Sequence, residues 1–435
     1  MHKGEARCPS LGVVVLAPSQ SVTPARVAAF TVLRRVAEQG AYADRALHAE
    51  ARDLVGRDRA FARQLTFGTI QRLGSIDHHI ATLARPVHKL DPAVAAALRL
   101  GLFQLLFLDG VPDHAAVTES VELAKSEGES RGAHRLVNAV LRRAARERPG
   151  LPGDATPADA AIHHSQPRWI VDLWWEQFGA EEAREMLAST NRPAELALRV
   201  NTLVTDPESL ASALPVPTHR ASELPDEGLV VEGPFDAHSH PLFAAGAYQP
   251  QSRASMRVAP ALDPQPGERI LDLCAAPGGK TTHMAARMGD RGTIVSVERH
   301  PGRAKALARN AARLRASSVQ VTTADAEQLN FPREFDRVLI DPPCSGLGTL
   351  QGHPDLRWRM TPERVEDLVA LQARIVERGL GALRPGGTLV YSTCTLTTRE
   401  NEDVLAAVGV TPVSLERTLP HRDGTEGFTI AVLKP

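Results

Sequence analysis

The sequence predicts an α/β protein in which two smaller regions precede a doubly wound, Rossmann-like domain. A chain of 435 residues, 43% of them hydrophobic, is too long for a single ordinary core. Residues 24–148 show helical periodicity, whereas from Glu268 onward short apolar runs alternate with helical segments. We therefore expect an all-α N-terminal domain, a small α+β intermediate region and a C-terminal parallel sheet covered by helices.

The first region, residues 23–148, is predicted to be helical throughout. Pro24 fits the first turn of a helix, and apolar side chains follow it at helical spacing. The segment Pro92–Leu108 is apolar on most sides, as expected of a helix surrounded by others. Further helical runs are predicted at Asp58–Leu73, Ala115–Lys125 and Ala133–Arg146.

A stripe of arginines and an uneven charge distribution are compatible with RNA binding by this region. Residues 1–150 carry 21 Lys+Arg and 15 Asp+Glu, a net charge of +6, and the remaining 29 basic and 36 acidic residues give −7. The last predicted helix aligns Arg135, Arg142 and Arg146 on one face. Spacing alone favours phosphate contacts and a solvated face equally.

Residues 1–22 are predicted to be a disordered tail. Lys3 and Arg7 precede a short apolar run, but Pro9 and Pro18 flank that run and no Ala-x-Ala cleavage site follows, which argues against a signal peptide. No apolar stretch is long enough to cross a bilayer. We expect a cytoplasmic, monomeric protein.

Neither a disulfide framework nor a metal site is expected. The chain has four cysteines and no Cys-x-x-Cys pair, so the thiols are predicted to be reduced. Residues 149–167, rich in Pro, Gly and small side chains, read as a linker. His163 and His164 lie in it, but adjacent side chains point apart in most conformations.

The remaining sequence divides into the intermediate domain, residues 168–250, and the doubly wound domain, residues 251–435. The intermediate domain has helical signals to about Asn191, a short strand at Ala197–Asn201 and irregular sequence to about Gly246. Strands of the last domain are predicted at Arg269–Cys274, Thr293–Val297, Val319–Thr323, Phe335–Ile340, Thr388–Ser392 and Phe428–Leu433. A ligand should bind beyond the carboxyl ends of these strands.

A small-residue turn after the first of these strands predicts the ligand. Residues 271–282 pass from a buried strand through two glycines into a helix, whose N-terminal N–H groups can receive a carboxylate. A phosphate loop would need Gly at the position of Cys274, and Gly-x-Gly-x-x-Gly is absent. An S-adenosyl-L-methionine site remains. Its predicted binding residues in the turn are Cys274, Ala275, Ala276, Pro277, Gly278, Gly279 and Lys280.

Acidic residues follow the next strands in register with this turn. Glu298 ends the second strand, 20 residues after Gly278, which suits a carboxylate that holds ribose hydroxyls. Asp325 follows the third strand and is predicted to meet the adenine edge, and Asp341, which follows the fourth, is also assigned to the cofactor site.

Two of the four cysteines follow neighbouring strands at the same edge. Cys344 lies in the Asp-Pro-Pro-Cys loop that begins at Asp341, and Cys394 follows the fifth strand. One reaction that needs thiols in such a site is methylation of carbon 5 of cytosine. This carbon is a poor nucleophile until a thiolate adds to carbon 6, and an acid at ring nitrogen 3 stabilises the adduct. A base must then remove the proton on carbon 5. Cys394, Cys344 and Asp341 are the candidate catalytic residues, and either thiol could attack.

These motifs resemble the RsmB-type (Sun or Fmu) family of bacterial 16S ribosomal RNA 5-methylcytosine methyltransferases. The matching strings are residues 274–280, 341–346, 353–358 and 392–394, with 199–202 at the entry to the intermediate domain. Residues 59–68, 111–117 and 136–142 resemble the RNA-binding fold of NusB. The resemblance implies that Cys394 is the nucleophile, that Cys344 assists release, and that the substrate is 16S ribosomal RNA, naked or in a partly assembled small subunit.

One departure and three alternatives stay open. The Gln-Asp-x-Ala-Ser segment of the family reads Gln-Ser-Arg-Ala-Ser here, with Ser252 in place of the aspartate. A transfer-RNA methyltransferase is disfavoured by the fused helical domain, and a non-catalytic RNA-binding assembly factor by the intact candidate residues. DNA is disfavoured because DNA enzymes follow this loop's cysteine with Gln, whereas Ser345 stands here.

Overall fold

A computed structural model describes residues 22–127 and 132–435. The predicted tail lies outside the described residues except for Val22. The chain forms two compact units, which are described separately. The first comprises residues up to Gly153 with Ile162–Ser165, and the second comprises Asp154–Ala161 with Gln166–Pro435.

The first unit is all-helical, as predicted. Its central helix is almost entirely buried, and the Asp91 carboxylate caps it by accepting from the N–H groups of Ala93 and Val94. The second and fourth helices lie within the region predicted to be helical, but the sequence pattern gave no separate bounds for them. The helices are α1 (Pro24–Gln39), α2 (Ala43–Glu50), α3 (Gly56–Gln71), α4 (Leu73–Leu83), α5 (Pro92–Leu106), α6 (Asp113–Glu127) and α7 (Ala133–Glu147).

The three arginines of the predicted stripe are exposed on α7. Arg142 donates to Asn138, 2.9 Å away, and Arg146 pairs with Glu147 at 3.0 Å. These are local surface contacts within one helix, so the guanidinium groups stay at the surface. Phosphate binding by this stripe therefore stays a prediction.

The second unit begins with helices and a small antiparallel sheet of four strands in the order β2-β3-β1-β4. Sequence analysis expected irregular structure over much of this region, because strands of three or four residues are too short to show alternation. The elements are α8 (Pro157–His163), which lies in the predicted linker, α9 (Arg168–Phe178), α10 (Ala180–Ser189), β1 (Ala197–Val200), α11 (Pro207–Ala213), β2 (Thr218–Arg220), β3 (Gly228–Val231), α12 (Pro241–Ala244) and β4 (Tyr248–Pro250).

The rest of the second unit is a seven-stranded sheet in the order β10-β11-β9-β8-β5-β6-β7. The elements are α13 (Arg253–Met256), α14 (Val258–Leu262), β5 (Arg269–Asp272), α15 (Gly279–Arg287), β6 (Thr293–Glu298), α16 (Pro301–Arg313), β7 (Val319–Thr323), β8 (Phe335–Ile340), α17 (Leu356–Arg359), α18 (Pro362–Ala382), β9 (Leu383–Thr393), α19 (Glu402–Ala407), β10 (Ser414–Thr418), α20 (Pro420–Asp423) and β11 (Phe428–Leu433).

The predicted α/β class is confirmed, with one difference in strand direction. Strands β5 to β9 are parallel, but β11 runs antiparallel to β9 and pairs with β10, which the sequence analysis had missed. Only residues 419–427 separate β10 from β11, and a parallel pairing needs a longer crossover. The antiparallel edge therefore follows from the short connection.

The sheet order places the candidate site. The chain leaves β5 towards β6 and β7 and then returns to β8 on the other side of β5. At such a switch point the carboxyl ends of neighbouring parallel strands open into a crevice that loops line. Within the described ranges, no helix combines the length and apolar character that a membrane span requires.

Candidate active site

The small-residue turn joins β5 to α15 and approaches its neighbours closely. Gly278, with φ of 100°, precedes the helix, and a Cβ atom there would lie 2.5 Å from a methyl carbon of Leu307. Ala275 and Ala276 are buried against the same leucine. Because the first N–H groups of a helix have no intrahelical partner, the start of α15 offers donors to a ligand.

A buried arginine from the small sheet holds this turn. Arg199 of β1 donates to the carbonyl oxygen of Gly279 and, over 2.9 Å, to the hydroxyl of Thr282. It also donates to Oε1 of Gln251 at 3.2 Å. Its side chain is fully buried, and burial is the main reason that its pKa falls to about 9. The intermediate domain thus fixes the first turn of α15, a contact that sequence spacing did not predict.

The acids predicted at the next strand ends are in place and already have partners. Glu298 ends β6, is 5% exposed, and its Oε1 accepts from the backbone N–H of His300 at 2.8 Å. Its Oε2 lies 3.5 Å from Nε of Arg303. Asp325 lies beyond β7, with Oδ2 3.5 Å from Nε of Arg299.

Lys280, which is predicted to bind the cofactor, directs its ammonium group to Asp341, a residue predicted for both the catalytic and the cofactor site. Nζ lies 2.6 Å from Oδ2 of Asp341, and Oδ1 of Asp341 is 3.4 Å from the Ser392 hydroxyl. Burial lowers the pKa of Lys280, but the charge and hydrogen bond of Asp341 outweigh it, with a smaller contribution from Cys394, so the net shift is upward. The structure therefore joins the turn to the Asp-Pro-Pro-Cys loop by an ion pair.

The two candidate catalytic thiols face each other. The Sγ atoms of Cys344 and Cys394 are 3.3 Å apart, and both side chains are half-buried. The hydrogen bond with Cys394, followed by burial, raises the pKa of Cys344 well above its usual range. The neighbouring sulfur and burial therefore both favour the protonated form of the Cys344 thiol.

The third described thiol has a different environment. Cys274 is half-buried beside the core of the sheet, and burial is the main cause that raises its pKa well above the usual value. This matches a small apolar residue in the wall of the turn better than a reacting group.

Asp272 is a site residue that the sequence analysis missed. It ends β5 immediately before the turn, is 1% exposed, and its Oδ2 accepts from the Thr281 hydroxyl at 2.7 Å. Its Oδ1 makes no hydrogen bond to any described residue. Burial is the main cause that raises the pKa of this carboxyl to about 7. A signal was present in the sequence, because Asp272 stands directly before the turn at which the ligand is predicted to bind.

Ser252 occupies the position of the family's aspartate and caps a helix. Its Oγ accepts from the backbone N–H of Ser255 at 3.3 Å, at the start of α13. Asp and Ser are both favoured at this position. The substitution therefore keeps a capping group at the end of this segment.

Comparisons with known proteins identify the family of this chain. Three family models match: the NusB family over residues 23–146, a ferredoxin-like domain of RsmF/B-like methyltransferases over 166–238, and the 16S rRNA methyltransferase RsmB/F family over 259–411. Among solved structures, the crystal structure of PH0851 has a TM-score of 0.82 at 25% identity and covers 95% of this chain and 99% of its own. A methyltransferase homolog protein from Pyrococcus horikoshii has a TM-score of 0.57 at 29% identity, covering 64% of this chain and 99% of its own.

Curated relatives extend over nearly the whole chain. The "Probable ribosomal RNA small subunit methyltransferase B" of Synechocystis sp. is 39% identical over 87% of this chain and 87% of its own. The "Ribosomal RNA small subunit methyltransferase B" of Vibrio cholerae is 33% identical over 94% of this chain and 96% of its own. The chain therefore belongs to the RsmB/F family of methyltransferases, with a NusB-like domain at its N-terminal end.

Proposed function

We propose that this chain methylates carbon 5 of a cytosine in 16S ribosomal RNA, with S-adenosyl-L-methionine as methyl donor and Cys394 as covalent nucleophile. The observation that carries the proposal is the pair of thiols, with Sγ atoms 3.3 Å apart, beside the Lys280–Asp341 ion pair. A thiol pair is not required for methylation of an exocyclic nitrogen. It does suit a reaction with separate steps of nucleophilic addition and elimination.

The residues around the turn fit the proposed cofactor. The unpartnered Oδ1 of Asp272 can accept from a ligand ammonium group, and the N-terminus of α15 can receive a carboxylate. In this proposal Glu298, at the end of β6, accepts from the ribose hydroxyls and Asp325, beyond β7, meets the adenine edge. When bound, S-adenosyl-L-methionine supplies an electrophilic methyl group to carbon 5.

In the addition step, Cys394 provides the nucleophile and Asp341 the acid. The Cys394 thiolate forms a bond to carbon 6, and the electron pair of the 5,6 double bond moves into the ring. Nζ of Lys280 donates to Oδ2 of Asp341 at 2.6 Å, so a proton that passes through Asp341 to ring nitrogen 3 can come from Lys280. Carbon 5 thereby becomes nucleophilic.

In the release step, Cys344 is the base. Its pKa is raised first by the hydrogen bond with Cys394 and then by burial. Once the Cys394 sulfur is bonded to carbon 6, that hydrogen bond no longer favours the protonated form of Cys344. Cys344 then loses its thiol proton to solvent, and its thiolate removes the proton from carbon 5. Ring nitrogen 3 returns its proton to the Asp341–Lys280 pair, the double bond re-forms, and Cys394 leaves as a thiolate.

The RNA and the cellular setting are also part of the proposal. The NusB-like unit, with the exposed Arg135, Arg142 and Arg146, supplies phosphate contacts, while the second unit carries the chemistry. We propose that the protein acts as a monomer, and a ribosomal RNA substrate places the reaction in the cytoplasm. The names of the curated relatives support this substrate class.

Substitution of each thiol in turn tests the covalent mechanism. Cys394→Ala should abolish methyl transfer, because no sulfur is left to activate the ring. Cys344→Ala should add and methylate but fail to eliminate, so methylated RNA stays attached to the protein. Labelled 16S RNA from a strain lacking the enzyme is incubated with each variant and run on a denaturing gel, and bisulfite sequencing locates the modified base.

Each result has a distinct meaning. A slow-migrating adduct with Cys344→Ala and none with Cys394→Ala supports the assignment. An adduct only with Cys394→Ala reverses the roles of the two thiols. Loss of methylation in both variants without any adduct contradicts the covalent step, and methylation of transfer RNA in preference to 16S RNA contradicts the substrate.

A further inference from the structure

Glu400 is a completely buried carboxylate that no step above uses. It lies in the short turn Thr398–Glu400 between β9 and α19 and is 0% exposed. Within the described part of the chain, no Lys, Arg or His forms an ion pair with it. A buried carboxylate without a cationic partner has to be stabilised by hydrogen-bond donors.

Five polar groups supply that stabilisation. Oε1 accepts from the backbone N–H of Ser345 at 2.7 Å and from Nε2 of Gln372 at 3.2 Å. Oε2 contacts three hydroxyl groups: Ser345 at 2.5 Å, Thr395 at 3.2 Å and Thr397 at 3.2 Å. An ionised carboxylate only accepts hydrogen bonds, so it suits this set of donors.

These contacts fall on both cysteine loops. Ser345 follows Cys344 directly in the chain, and Thr395 follows Cys394 directly. Gln372 of α18 donates to Glu400 and also to the carbonyl oxygen of Pro343, at 2.9 Å, on the other side of Cys344. The Glu400 side chain therefore connects the residues flanking the two thiols, in addition to the direct hydrogen bond between the Ser345 and Thr395 hydroxyl groups at 2.9 Å.

We propose that Glu400 is a positioning residue that sets the separation of the Cys344 and Cys394 sulfur atoms by binding the backbone and hydroxyl groups next to each. Its catalytic meaning rests on the proposed function, because the separation matters only if both thiols act on one base. The positioning itself does not depend on that function. The two parts can therefore be tested separately.

A carboxylate is required at position 400, and we expect that the amide of Gln cannot hold the two cysteine loops at the same separation. Gln has nearly the same shape as Glu, but its NH₂ group would face donors where an oxygen now accepts. At least one buried N–H or O–H would lose its acceptor, and the loops would have to move apart to restore one. A displacement on the ångström scale is enough to slow a positioned reaction strongly.

A trivalent arsenical measures the sulfur separation without any substrate. Phenylarsine oxide bonds two thiols at once, forming two As–S bonds and releasing one water. The variants Cys344→Ala and Cys394→Ala, each of which lacks one thiol of the pair, define the level of binding without this bridge. Intact mass with peptide mapping identifies which two cysteines are bridged. Glu400→Gln should weaken bridging on the order of tenfold relative to the unmodified chain.

Matched variants separate positioning from simple loss of structure. Glu366→Gln removes an exposed ion pair to Arg399, which is next to Glu400 in the same turn. Phenylarsine oxide should bridge the two thiols of this variant as tightly as those of the unmodified chain. Glu400→Asp keeps the charge and should recover part of the bridging. Ser345→Ala removes one hydroxyl contact without changing Glu400 and should give a smaller loss.

Reaction with RNA then tests the catalytic meaning. Glu400→Gln should keep its affinity for S-adenosyl-L-methionine by calorimetry, yet turn over more slowly and accumulate the methylated adduct expected for Cys344→Ala. If phenylarsine oxide bridges the two thiols of Glu400→Gln as tightly as those of the unmodified chain, the positioning proposal is overturned, whatever the RNA results. Weakened bridging in a protein that forms no adduct with any variant would leave the positioning intact and count against the covalent function instead.

Discussion

Asp272 and Glu400 are both buried carboxyl groups in the second unit, but their hydrogen bonding is opposite. Asp272, beside the small-residue turn, has one hydroxyl contact and an oxygen with no partner among the described residues. Glu400, between the cysteine loops, has five polar contacts. Burial without partners is costly, so an incompletely paired group suggests a ligand, whereas a fully paired one suggests a structural connection.

The largest expected effect concerns Asp272, the carboxyl group whose hydrogen bonding is incomplete. Burial raises the pKa of Asp272 to about 7, from an ordinary value of 3.8, so the folded state prefers its protonated form. As pH rises from 4 to 7, the unfolded chain ionises this group while the folded chain resists, and stability is lost. Above pH 7 the penalty is constant, on the order of 2–4 kcal/mol.

Asp272→Asn removes that titration and can keep the contact with Thr281. The unfolding midpoint of the variant relative to the unmodified chain should therefore increase between pH 5 and pH 8. Chemical denaturation at several pH values measures the difference, and comparing the two proteins cancels the other titrating groups. A difference that does not change with pH would mean that Asp272 titrates normally and that the comparison with Glu400 is wrong.

Glu298 is an intermediate case, with a backbone donor on one oxygen and Arg303 near the other. Glu298→Ala should weaken S-adenosyl-L-methionine binding by about 1–3 kcal/mol, the effect of losing a charge-assisted acceptor. Titration calorimetry measures it. Glu334→Ala, which removes an exposed glutamate paired with Arg269, serves as control and should bind normally. Equal affinity in both variants would exclude Glu298 from the cofactor site.

The smallest expected effect is at Ser252, whose hydroxyl caps α13 and has no proposed contact with a ligand. Ser252→Ala should lower the free energy of unfolding of the second unit by about 1 kcal/mol. Ser252→Asp restores a capping oxygen and should unfold near the original midpoint. A changed affinity for cofactor in the Asp variant, at unchanged stability, would instead assign this position to the binding site.

The sequence predicted what depends on strand ends and missed what depends on long-range side-chain contacts. Cys344 and Cys394 follow neighbouring parallel strands, so their convergence could be expected, and their sulfur atoms are 3.3 Å apart. The ion pair between Lys280 and Asp341 joins residues 61 positions apart and has no local pattern. Lys280 was therefore assigned to the cofactor alone.

The same limit applies to structure that leaves no periodic signal. Strands β2 and β4 have three residues each, too few to show alternation, and four of the five side chains of β10 are polar, so it shows no apolar pattern. Asp272 was visible in the sequence, but its significance depends on burial, which a sequence pattern does not give. Glu400 follows Arg399 in an unremarkable polar stretch, and only the folded loops show that its carboxylate connects them.

The contact of Arg199 with the small-residue turn bears on how the chain can be divided for experiments. A fragment starting at residue 251 would contain every candidate catalytic residue, yet it would lack the guanidinium group that binds the Gly279 carbonyl and the Thr282 hydroxyl. The compact second unit begins at Asp154 rather than at the first residue of the large sheet domain. A truncated enzyme for crystallisation or inhibitor screening should therefore retain the small antiparallel sheet.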